Sequence, residues 1–144
     1  MKRRVIFWTL SIFTMFFIFL MSHRDATTSN SLSVPLVNLC GFLGLDVTSS
    51  NFDIIHTLIR KLGHISEFFF LDFCLYNGLI CDFTFKKSVF LAFIISFLYA
   101  ISDEFHQLFI PGRCGNITDV MIDSLGMLLF ISILLIYKNI IKSR

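Results

Sequence analysis

The chain has 144 residues, 56% of them hydrophobic and only 15% charged, with a mean hydropathy of +0.80. A soluble domain needs a charged surface that this composition does not supply, and 19 phenylalanines suit a lipid-facing surface better than a small soluble core. The net charge of +2 is too small to point to nucleic acid, and the cysteines show no zinc or redox spacing.

The first apolar run, Val5–Met21, is just long enough to span a bilayer. Lys2, Arg3 and Arg4 precede it as in a signal peptide, but Met21-Ser22-His23-Arg24 is a poor cleavage site, so the run reads as an uncleaved anchor. A polar loop follows from His23. Ser33–Leu45 is apolar but short and broken by Pro35, Gly41 and Gly44, so it reads as an interfacial or re-entrant segment within an outer loop spanning 22–61. Three further spans are expected at about Leu62–Cys81, Ser88–Phe109 and Ile117–Tyr137. Pro111, Gly112 and Gly115 mark the turn before the last. The expected fold is therefore an all-α membrane protein, one bundle of about four transmembrane helices over residues 1–144.

Lys and Arg placement gives the orientation. With the N-terminus inside, Lys2, Arg3, Arg4, Lys86, Lys87, Lys138, Lys142 and Arg144 lie inside, and Arg24, Arg60, Lys61 and Arg113 outside, eight against four. An N-in/C-in topology in a plasma membrane is expected. Most carboxylates and all four histidines then lie toward the outer face, with Asp72 within the membrane and Asp82 inside.

Helical geometry sorts these polar residues, because positions three and four apart share a face. Lys61, His64 and Glu67 form a stripe on the second span, with Asp72 deeper on nearly the same line. Asp103 and Gln107 pair on the third span, beside Glu104. Asp119, Asp123 and Gly126 align on the fourth, where Gly126 lets a neighbouring helix come close. Arg113 sits on the turn between the third and fourth. An ionisable group facing lipid costs at least ~2.5 kcal/mol, so a polar pocket at the outer end is the economical reading of the cluster. Any one residue taken alone reads as structural before chemical, held by interfacial water or in an ion pair, whereas the cluster as a whole reads as a functional pocket. His23 and His56 show no partner pattern and read as solvated loop residues; His106 points away from Gln107. Cys74 and Cys81 read as packing residues, and a Cys40–Cys114 disulfide stays open.

The pocket's chemistry has several readings. His64, Glu67, Asp103, Glu104 and Asp119 are candidates for proton transfer or for holding a divalent ion, although no cofactor is evident. Arg113 with Lys61 suits a phosphate or carboxylate on a lipid-linked partner. No HExxH, GxSxG or phosphate-cradling glycine loop is present.

The stretch Tyr99–Arg113 (YAISDEFHQLFIPGR) resembles the signature of the VanZ-like membrane proteins. Asp119–Gly126 (DVMIDSLG) continues the pattern, and Arg60–Phe68 (RKLGHISEF) resembles the family's Lys-x-x-His-x-x-Glu-Tyr element. The match runs from Lys61 to about Phe130. Phe68 stands where a Tyr is common, Asp72 where a small residue is usual, Asp123 where Asn is frequent, and Phe130 where a second Gly is frequent, which implies looser packing there. The resemblance implies a small multispanning bacterial protein. It also implies a link to low-level resistance to teicoplanin-type glycopeptides, which act outside the membrane. The phosphotransbutyrylase label that some relatives carry finds no support in these residues.

Three functions follow as expectations. The first is a non-enzymatic envelope protein that binds a membrane lipid, a lipid-linked envelope molecule or a lipoglycopeptide at Lys61, His64, Glu67, Asp103, Glu104, Gln107, Arg113, Asp119 and Asp123. The second is an intramembrane enzyme, metal-dependent in one version, acting on a lipid-linked substrate. The third is a small transporter, for which no continuous polar route is visible.

Overall fold

The computed structural model describes residues 2–24, 34–35, 37–39, 41–42, 48 and 50–142. Four long helices carry the fold: α1 (Lys2–Ser22), α2 (Phe52–Leu79), α3 (Phe85–Gln107) and α4 (Ile117–Lys142). No strand occurs among the described residues. By length and composition α1, α3 and α4 are apolar enough to cross a membrane. α2 carries Arg60, Lys61, His64, Glu67 and Asp72, yet it packs along all three of the others.

The ends of the helices follow from local chemistry. α2 starts with Asp53 in its first turn, where the exposed N–H groups favour an acid. α3 stops before a turn in which Gly112 takes a φ of 74°, a left-handed conformation that a side chain would strain. Asn116 then caps α4, its side-chain oxygen accepting the Thr118 N–H at 3.1 Å.

Cross-links along the bundle fix its topology. At one end Arg3 donates to Asn77 and Arg4 to Asp82, both at 2.9 Å, and the Lys138 ammonium sits 3.5 Å from the Phe85 ring centre. Midway, the Tyr99 hydroxyl donates to the Met15 carbonyl. At the other end Ser22 meets Asp103, and Arg113 donates to the Met21 carbonyl at 3.1 Å. Neighbouring helices in sequence are thus antiparallel, and the start of α1 and the end of α4 share one end.

The core is where α2 meets its neighbours. Phe68, Leu71 and Leu75 are buried against Ile18, Ala92, Ala100 and Met127. On α3 the buried face reads Ser88, Ala92, Ser96, Ala100, a small residue every fourth position that allows close helix contact. Gly126 does the same for α4, since a Cβ there would strike the backbone of α2 at Ile65 and Phe69. The outward sides of α1, α3 and α4 are rows of exposed apolar residues such as Phe16, Phe90, Leu98, Leu129 and Ile136, a surface suited to lipid.

Several expectations are corrected. α2 begins at Phe52 rather than Leu62, so the connection from α1 is shorter than 22–61, and His56, Arg60 and Lys61 lie on a helix. Polar residues in its first turns hide that start from a hydropathy reading. Cys81 is exposed in the turn after α2 rather than packed. Phe130 is not a loose spot: it is 6% exposed and meets the rings of Phe69, Phe73 and Tyr76 at 5.7 to 5.8 Å. The described residues of the 33–45 segment are helical, with Val37 buried and Phe42 exposed. Cys40, the open partner of Cys114, lies outside the described residues.

Candidate functional site

Polar side chains converge at the end of the bundle where α1 and α3 finish and α4 begins. On α3, Asp103 and Glu104 lie four and three residues before Gln107, and all three are buried. The Ser22 hydroxyl donates to Asp103 at 2.6 Å, tying in the end of α1. The Gln107 amide nitrogen reaches Asp103 at 3.0 Å and Glu104 at 3.2 Å. The second Glu104 oxygen accepts the Asn116 N–H at 2.9 Å. Glu104 thus anchors the loop that Arg113 occupies, and the network joins α1 and α3 to the residue that caps α4.

Beside it lies a polar cavity of about 320 Å³, lined by Arg60 and His64 of α2, Gln107 of α3, Arg113 and Asn116 of the loop, and Asp119 of α4. His64 Nδ1 is 3.3 Å from Asp123 Oδ1. Asp123 is fully buried, and neither of its oxygens finds an aligned hydrogen bond among the described residues. Gly126 makes this pair, one turn along α4, by letting α4 close onto α2. Arg60 and Arg113 bring two guanidiniums to the same hollow. Burial and the repulsion of Arg60 lower the Arg113 pKa from its usual value, while Asp103, Glu104 and Glu67 act to raise it. An anion between the two guanidiniums would relieve that repulsion.

The sequence-predicted residues divide. His64, Gln107, Arg113 and Asp119 line the cavity, Asp123 backs His64, and Asp103 and Glu104 form the adjoining network. Glu67 faces a separate groove between α1 and α2. Arg60, not its neighbour Lys61, lines the cavity, as a helix starting at Phe52 makes legible: Arg60 and His64 are four apart. Asp72 is buried well away, accepting from Ser96 at 3.0 Å. His23 is exposed in the turn after α1, as expected of a solvated loop residue, yet it has a partner: its Nδ1 lies 3.2 Å from His106 Nε2, with Phe19 stacked on the His23 ring and tilted against the His106 ring. His56 is not a loop residue; it stacks on Phe52 within α2. Among the described residues, no three His, Cys, Asp or Glu side chains come together to hold a metal ion.

The VanZ/LLP1 family model matches residues 7–139, nearly the whole chain. The chain belongs to the VanZ/LLP1 family. It is also similar to the uncharacterized membrane protein YwnJ of Bacillus subtilis (strain 168), 33% identical over 105 residues, which is 73% of this chain and 68% of the relative. No solved structure matches. In this VanZ-family chain the Phe68 ring lies 6.3 Å from that of Tyr99, whose hydroxyl reaches α1.

Proposed function

We propose that this VanZ-family protein is a multi-pass protein of the bacterial plasma membrane, with four spans and both termini inside. In this reading its polar cavity opens outward and binds the anionic head group of a membrane lipid or lipid-linked envelope molecule. Occupation of that site lowers the access of teicoplanin-type glycopeptides to their target. The observation that carries the reading is the cavity itself: two arginines, Arg60 and Arg113, face a hollow of about 320 Å³ at one end of an otherwise apolar bundle. The excess of Lys and Arg at the opposite end supports its outward placement.

The test is complementation in a sensitive Gram-positive host. Wild type and an Asp103→Asn/Arg113→Ala double variant are expressed to equal membrane levels and compared for teicoplanin and vancomycin sensitivity. Protection by the wild type alone, and mainly against teicoplanin, is the expected result. Equal protection by the double variant would remove the cavity from the function.

One observation favours an enzymatic reading beside this one. Asp123 stands behind His64, which lines the cavity, an arrangement that suits a general base oriented by a carboxylate. A changed lipid profile on deletion, restored by the wild type but not by His64→Ala, would move the reading to an enzyme. The metal-dependent version draws no support from a three-ligand group among the described residues.

A further inference from the structure

A second hollow, also about 320 Å³, lies between α1 and α2. Phe13, Thr14 and Phe17 line it on α1, and Ser66, Glu67 and Phe70 on α2. The three phenylalanines are exposed, so the groove opens sideways on the apolar flank of the bundle. Its polar border is Glu67, three residues from His64 and therefore one helical turn from the cavity wall. His64 and Arg113 lie within electrostatic reach of the Glu67 carboxylate. An ionisable group set in an apolar groove at this depth is costly, and such groups mark ligand paths.

We infer that the groove and the polar cavity hold one amphiphile: a phosphate-bearing head lies between Arg60 and Arg113, and its hydrocarbon chain lies in the α1–α2 groove. This rests on the head-group reading above and adds the part of the ligand that selects a membrane-resident molecule. Charge complementarity places the head, because two guanidiniums face the cavity and none of the residues lining the groove is basic. Apolar complementarity places the chain along Phe13, Phe17 and Phe70. In the groove wall the exposed Ser66 hydroxyl donates to the Gly63 carbonyl of its own helix at 2.7 Å, leaving lone pairs to accept from a ligand hydroxyl. The same chemistry occurs in a phospholipid and in a lipid-linked envelope intermediate, and both would enter sideways from the bilayer.

The full chain in phosphatidylcholine nanodiscs is photolabelled with dodecyl phosphate carrying a diazirine at the chain end. Label is expected on the peptides that contain Phe13, Phe17 or Phe70. Unlabelled dodecyl phosphate should compete it away, and dodecanol should not. Ser66→Trp, which fills the groove from an exposed position, should cut labelling at least about tenfold, equivalent to ~1.4 kcal/mol of binding. Label spread without competition over lipid-facing residues such as Phe90 and Leu129 would overturn the proposal, as would undiminished groove labelling in Ser66→Trp. Butyl phosphate, which has the head but almost no chain, separates the two readings. Its binding to wild type but not to Arg113→Ala, with the groove unlabelled, keeps the head-group site and sinks the groove. Absence of binding by either phosphate sinks both.

Discussion

Asp72 is fully buried in the middle of the bundle, with one oxygen accepting from Ser96 and the other without a partner among the described residues. Asparagine keeps the acceptor and the shape. Interhelical hydrogen bonds in membranes average only ~0.6 kcal/mol, so we expect Asp72→Asn to alter stability by less than about 1 kcal/mol. Thermal unfolding in detergent reads this directly, and a much larger loss would give the acid a role beyond the Ser96 bond. Gly126 is the opposite case. Any side chain there meets the Ile65 carbonyl, so Gly126→Val should force α2 and α4 apart at a cost of about 1–3 kcal/mol. The same measurement decides it, and an unchanged unfolding temperature would contradict the close approach. The exposed Arg4–Asp82 pair serves as a control: Asp82→Asn should cost no more than ~1 kcal/mol.

At the scale of elements, the polar end depends on the loop between α3 and α4. Glu104 grips the loop at Asn116, and Asn116 caps α4. Glu104→Gln retains an acceptor for the Asn116 N–H, whereas Glu104→Ala leaves buried groups unpaired, at a cost of about 1–3 kcal/mol. Amide exchange of residues 110–116 should therefore accelerate in Glu104→Ala and change little in Glu104→Gln. Equal acceleration in both would show that the charge, not the hydrogen bond, holds the loop. The helices α1, α3 and α4 were legible as apolar runs with basic residues and turn formers at their ends. The early start of α2 was not, because Asp53, His56, Thr57, Arg60 and Lys61 interrupt its first turns and break the apolar run.

For the whole molecule, the cysteines provide a topology ruler. Cys81 is exposed at the end with Arg3 and Arg4, and Cys114 is exposed at the polar end. In a Cys40→Ser background, a membrane-impermeant thiol reagent on intact cells should modify Cys114 and spare Cys81. The reverse pattern would turn the polar end inward and overturn the proposed orientation. The exposed apolar flanks of α1, α3 and α4 have no stable counterpart in water, so the bilayer is part of what holds this fold in one arrangement.

Composition and hydropathy by themselves determined that the chain is helical and membrane-embedded, because lipid demands backbone groups satisfied within each segment. Spacing also determined which polar residues share a helix face, as with Asp103 and Gln107, and that Gly126 marks a close helix approach. The tertiary structure alone decided which faces meet. It set His64 against Asp123, paired His23 with His106, chose Arg60 over Lys61 for the cavity, and turned Glu67 toward α1. The reason is physical: helical period fixes direction around one axis, whereas contacts between helices depend on their relative rotation and offset, which side-chain packing at positions such as Gly126 and Ser96 sets.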